Sequence, residues 1–477
     1  MVCHGSHGGL AGKVRDARMA LINGSGVGVG ELLPPESVQR AVEAEGVWFR
    51  ECLFTPLVTL WTFLFQVLNA DGSCRAAVAR LLALLSARDP GRKDDPLNPA
   101  TDPYCKARQR LPEGLIARLA KEAGGKLHGN YPAGRLLGGR PVKVVDGTTV
   151  SMPDTEANQK LWPQPPTQKP GLGFPLARLV AVMSLSCAAV LSLAIGPYAG
   201  KQSGETALFR TLLDESFQSG DVLLADRYYA SFWMIAMLLG RGVDSLMRQH
   251  QKRSIDFRTG VRLGHDDHLI VLSKPSQRPD WMDEETYEQM PQQLTVRELR
   301  LRVAAKGFRV KWLVLVTTLL DAQLYTKDEI TKAFGFRWHV ELDLRSIKQT
   351  MGMSVLRCKT PEMVRKEIWM HLLAYNLVRG LMAAAAEQAG IEPRQVSFAG
   401  ALQTINAFGP ILELADPDDL PRLFQILLRA VARHRVGDRP DRYEPRAVKR
   451  RAKPIALLTI PRAQARKRLA KSGEAKC

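Results

Sequence analysis

Apolar positions change their spacing twice along this chain, and the changes divide it. Up to about Arg135 they recur every three or four residues, over 35–51, 56–69, 74–87 and 112–123, which predicts amphipathic helices around a Gly- and Pro-bearing loop at 88–103. From Arg140 the period shortens. An apolar run at 142–145 predicts a strand, 179–195 two strands joined by a tight turn, and 205–247 an alternation of helix, strand, helix and strand. Three antiparallel strands followed by such alternation predict an α/β mixed sheet with flanking helices. Over 248–308, strand-like runs at 268–272 and 294–303 flank a loop at 275–291 and predict an inserted β-rich subdomain. After a strand at 310–317, helices are expected over 326–351, 361–389 and 421–434, followed by a basic tail. The domain boundaries on this reading are 1–135 (helical), 136–395 (mixed sheet) and 396–477 (helical and basic).

The uncharged stretch 179–200 is long enough to span a membrane, but Ser184, Ser186, Ser192 and the Ser-Cys-Ala break favour a buried hairpin. No membrane association is expected. The formal charge of +19 on 477 residues directs attention to a polyanion, with nucleic acid first, because Lys and Arg gain free energy by releasing counterions from phosphates. The basic residues after Pro445, Lys449, Arg450, Arg451, Lys453, Arg462, Arg466, Lys467, Arg468 and Lys471, extend this to the tail. Seven scattered cysteines without a C-x-x-C pair argue against a zinc ribbon or a disulfide framework, and with no signal-peptide pattern they suit a reducing cytoplasm.

The candidate chemistry lies in three places. Asp146 ends the run Val144-Val145, and Asp226 follows the run 222–225, so each puts a carboxylate at a strand edge, where an Asp ordinarily serves as a cap or turn former. In FGFRWHVELDLRSIK, helical spacing places Arg337, Glu341, Arg345 and Lys348 within about 80° of one another, beside a stripe of Val340, Leu344 and Ile347. Asp343 points away and is assigned to solvent or a structural salt bridge. Carboxylates on separate elements suit hard cations such as Mg2+ or Mn2+, and a two-metal site built from Asp146, Asp226 and Glu341 would serve phosphodiester displacement. Arg337, Arg345 and Lys348 would then grip DNA phosphates. His265-Asp266-Asp267-His268 has metal-ligand residue types, but a polar turn is the better expectation.

VVDGTTV, LLADRYY and the helix F-x-x-R-x-x-x-E-x-x-x-x-x-x-K together resemble the DDE transposases of bacterial insertion sequences, in the insertion-sequence-four family with its Y-R-E-K signature. Arg337, Glu341 and Lys348 match that spacing, and Phe334 stands where the signature has tyrosine. The resemblance runs from about Tyr104 to Arg379. It implies an RNase H-like catalytic core with a β-rich insertion, a helical N-terminal domain that binds terminal inverted repeats, and a homodimer across paired DNA ends in the bacterial cytoplasm. It also implies cut-and-paste transposition, with Asp146, Asp226 and Glu341 as catalytic metal ligands. In relatives that excise through a hairpin, a strand tryptophan receives a flipped base. Trp312 is similar in position, although tryptophan in an apolar strand is ordinarily core. Two alternatives stay open: a catalytically silent DNA-binding derivative, and an RNase H-like junction or repair nuclease.

Overall fold

A computed structural model describes residues 32–46, 52–88, 98–131, 136–302, 312–416, 418–437 and 457–472. The basic residues at 449–453 lie outside these segments. A nine-stranded sheet, ordered β3-β2-β1-β4-β5-β9-β8-β7-β6, organises the rest. Strands β1 (Val142–Ser151), β2 (Leu176–Ser184) and β3 (Val190–Pro197) form an antiparallel meander, so the uncharged stretch is the expected hairpin. Among the described residues no helix is long and apolar enough to cross a membrane. Strand β4 (Val222–Ala225) then pairs parallel with β1, and β5 (Asp244–Arg248) parallel with β4. The register Val142↔Val222 to Val144↔Leu224 is pinned at its start by a buried ion pair, Lys143 Nζ to Asp221 Oδ2 at 2.6 Å.

Strands β6 (Val261–Gly264), β7 (Asp267–Ser273) and β8 (Gln293–Arg302) carry most of the insertion. They continue the same sheet through β9 (Trp312–Thr317), which pairs antiparallel with both β5 and β8. In the His265–His268 cluster, His265 and Asp266 form the β6–β7 turn, while Asp267 and His268 already belong to β7. Asp267 is bound by Arg297 at 2.6 Å, and His268 lies 3.1 Å from Glu298.

Side-chain alternation sorts the strands onto two cores. Val142, Val144, Val222, Leu224, Leu246 and Leu315 join the larger one, while Val145, Leu223, Ala225, Met247 and Val316 face the smaller. Helices α1 (Pro35–Ala44), α2 (Pro56–Leu68), α3 (Cys74–Arg88), α4 (Asp102–Arg110) and α5 (Glu113–Asn130) share the larger core with later parts of the chain. After α6 (Glu156–Leu161), helices α7 (Glu205–Arg210), α8 (Leu213–Ser216) and α9 (Phe232–Leu239) lie near the smaller core, and α10 (Glu284–Gln289) belongs to the insertion.

The helix expected over 326–351 is interrupted. Helix α11 (Lys327–Gly335) ends before Phe336, α12 (Trp338–Arg345) carries the acid, and Ser346–Thr350 widens into a π turn closed by Met351 N–H to the Ser346 carbonyl at 3.1 Å. Helix α13 (Pro361–Gln388) is buried along most of its 28 residues. Its Asn376 amide accepts from Val190 N–H and donates to the Ala120 and Val190 carbonyls, each at 2.9 Å, tying α5 to β3. Between the helices expected over 361–389 and 421–434, in the region expected to be helical, lies a further helix, α14 (Phe398–Leu414), which runs through Gly409 and Pro410. It is followed by α15 (Leu420–Arg433) and by the exposed basic helix α16 (Arg462–Ser472).

Asp343 takes the second of its two expected roles. Its carboxylate is buried against Arg379 of α13 at 2.5 Å and Arg394 at 2.9 Å, and Arg394 also donates to the Ser184 carbonyl at the end of β2. Asp343→Ala would leave both guanidiniums without their shared counter-charge, and is expected to cost about 3–5 kcal/mol. Urea denaturation measures this, and a loss below about 1 kcal/mol would mean that the pairs do not anchor α12.

Candidate active site

Asp146 sits in the middle of β1 rather than at its end. The β-branched Thr148, Thr149 and Val150 extend the ladder with β2 as far as Ser151, six residues beyond the apolar run 142–145 that suggested a boundary. The parallel ladder with β4 stops earlier. Two residues past its last pair, Val144↔Leu224, come Asp146 and Asp226, at matching positions on strands spaced about 4.8 Å apart. By alternation both follow Val144 and Leu224 toward the larger core. That is the side from which α12 approaches β1, with Val340 and Leu344 buried in the same core.

The charges around Asp146 show how close the elements come. Burial pushes its pKa up to about 6, against the pull of the Gly147 N–H and the Arg337 guanidinium, and Glu341 and Glu205 raise it further by repulsion. Asp226 opens a short 3-10 turn and accepts from Arg227 N–H at 2.6 Å. Glu341, in the first turn of α12, accepts from Arg337 at 3.0 Å in the expected i,i+4 pair. As placed, no three His, Cys, Asp or Glu side chains among the described residues form a tight metal-holding group. Facing carboxylates repel one another, and Glu341 is held by its arginine.

The remaining expected residues are less gathered. Arg345 is exposed and donates to Gln349 at 3.0 Å, while Lys348 lies in the π turn, where burial lowers its pKa. The π turn also undoes the uniform 100° count that aligned Lys348 with Glu341. Phe334 packs against the larger core, a place that uses its ring and asks nothing of a hydroxyl. Trp312 is not core: it is 52% exposed at the start of β9.

Two residues were missed. Glu205 lies in the first turn of α7, and Tyr229 is buried directly after Asp226-Arg227-Tyr228. Glu205 had no periodic signal, being a lone acid after the polar stretch 201–204. Tyr229 was legible only as part of LLADRYY.

Because the folded pKa of Asp146 lies above the ordinary 3.8, ionising this group opposes folding. The metal-free protein should therefore lose stability as pH rises from about 4 to about 6, and Asp146→Asn should flatten that part of the curve in thermal melts. An unchanged curve in the variant would contradict the burial of this carboxyl.

Comparison with known proteins places this arrangement. The transposase DDE domain family matches residues 137–377, just over half of the chain and a span that contains Asp146, Asp226 and Glu341. The transposase InsG for insertion sequence element IS4 of Escherichia coli (strain K12) is 29% identical over 448 residues, covering 91% of this chain and 94% of that protein. The transposase for insertion sequence element IS421 of Escherichia coli is 31% identical over 65 residues, 14% of this chain and 18% of its own length. Among solved structures, the piggyBac transposase in a synaptic complex with hairpin DNA covers 87% of this chain at 9% identity and a TM-score of 0.42. The family match spans the sheet, the strand acids and the acid-bearing helix alike, and the chain belongs to the DDE transposases of the IS4 type.

Proposed function

We propose that this protein binds the terminal inverted repeats of an insertion sequence, cleaves the DNA at its ends and joins those ends to target DNA, on an RNase H-like core. The observation that carries this reading is the register of β1 and β4, which sets Asp146 and Asp226 side by side beneath the helix bearing Glu341. Their donor atoms are all carboxylate oxygens, the set preferred by Mg2+ and Mn2+. Asp146, Asp226 and Glu341 would hold the ions, and the chemistry so supplied is activation of the attacking oxygen and neutralisation of charge at the leaving one. The raised pKa of Asp146 fits such a place, since a desolvated carboxylate lacks compensating positive charge.

The chain's own cations complete the site. Arg337 is positioned to exchange its bond with Glu341 for a bidentate grip on a DNA phosphate beside the scissile bond. Lys348, and Arg345 further out, supply point charges along the backbone. Exposed Trp312 offers a ring face to a base displaced from the duplex. DNA is the partner, held as two paired ends by a homodimer, and the working compartment is the bacterial cytoplasm.

With Mg2+ and labelled element-end DNA, Asp146→Asn, Asp226→Asn and Glu341→Gln are each expected to lower nicking and strand transfer by at least about a thousandfold while binding persists. Binding without cleavage by the unmutated chain would support a silent DNA-binding protein instead. Cutting of branched DNA regardless of sequence would support a junction nuclease. For Trp312→Ala, loss of about 1–3 kcal/mol of stacking predicts hairpin formation at the element end slowed by about fivefold to about 150-fold, and an unchanged rate would remove Trp312 from the site.

A further inference from the structure

Gly147 follows Asp146 and projects to the opposite side of β1. A Cβ at this position would lie 2.4 Å from Cδ and 2.6 Å from Oε1 of Glu205, so the space of a missing side chain is filled by a carboxylate. An acid in a first helical turn is ordinarily accounted for by the helix dipole. That account asks nothing of Gly147, whereas here any larger residue would evict Glu205.

A second observation points to the same place. Tyr229 is 1% exposed, and its hydroxyl is buried with no hydrogen-bond partner. Such a group is costly to bury and normally finds an acceptor. The charges it feels are those of Glu205 first, then Asp146 and Asp226, with Arg178 the opposing cation. The orphan hydroxyl thus sits among carboxylates from β1, the end of β4 and α7.

We propose that Glu205 is a fourth carboxylate of the cation site, reaching it from the other side of β1 through the gap left by Gly147, and that the Tyr229 O–H positions it. The proposal rests on the reading of Asp146 as a cation ligand. Tyr229 touches no reacting atom in this scheme. With a cation bound, its O–H, unpartnered here, would donate to the Glu205 carboxylate and hold it toward the two strand acids, as groups behind metal ligands commonly do.

Titrating Mn2+ into the full chain without DNA, with the free ion read by electron paramagnetic resonance, separates these contributions. Glu205→Gln is expected to weaken Mn2+ binding by at least about tenfold, with Tyr229→Phe giving a smaller loss. Gly147→Ala, which leaves every acid in place but puts a Cβ where Glu205 lies, is expected to reproduce the Glu205→Gln defect. Melting curves without Mn2+ check that each variant folds. If Glu205→Gln melts early, Glu205→Asp, which keeps the charge and shortens the arm, takes its place and is expected to bind more weakly. Wild-type affinity in the folded Glu205 variant, alongside loss in Asp146→Asn, overturns the role of Glu205 and leaves the cleavage reading standing. Wild-type affinity in both overturns the cation reading itself.

Discussion

The 2.5 Å contact between Asp343 and Arg379 is the constraint on which the geometry of the site depends. Glu341 and Asp343 stand two residues apart on one helix, so they leave it in nearly opposite directions. Fastening one into the interior orients the other toward β1. A charge so deeply buried is tolerable only because two guanidiniums share it, one from the 28-residue helix α13 and one from the segment after it. The acid-bearing helix is thereby tied to both major parts of the fold, the buried helix and the antiparallel meander.

The sheet makes the complementary contribution. Two strand acids become neighbours because β1 pairs antiparallel on one side and parallel on the other, and the parallel ladder ends two residues before Asp146 and Asp226. There the carboxylates escape the packing of Val144 and Leu224 without reaching open water. Burial and mutual repulsion make Asp146 a poor host for its own negative charge, which is the condition under which a cation binds with most effect. The pair Lys143–Asp221 at the other end of the ladder keeps the two strands from slipping, and a slip of one residue would turn an acid to the opposite face.

Much of this was legible from the chain. The succession of strands along the chain through β5 and the hairpin without charges follow from period, because alternation and apolar runs report directly on sheets, while the three acids were picked out by motif. What stayed hidden has physical causes. The π turn at Ser346–Thr350 has no compositional mark, so equal angular steps misplace Lys348. Helix α14 carries a proline its neighbours accommodate, which propensity cannot foresee. The exposure of Trp312 was not legible, because the rest of β9 is apolar and only the structure shows that the residue begins the strand, where the sheet meets solvent. Glu205 was invisible because its meaning comes from a glycine almost sixty residues earlier in the chain.

The uninterrupted hydrogen bonding from β1 through β4 and β5 to β9 makes the sheet a gauge block. Trp312 lies three residues beyond the level of Asp226 and two strands across from it, an offset of about 14 Å. No hinge lies between them along those ladders. Anything that meets the indole is held at a set span from the strand carboxylates, and the inserted strands β6 to β8 stiffen that span by lengthening the sheet beyond β9.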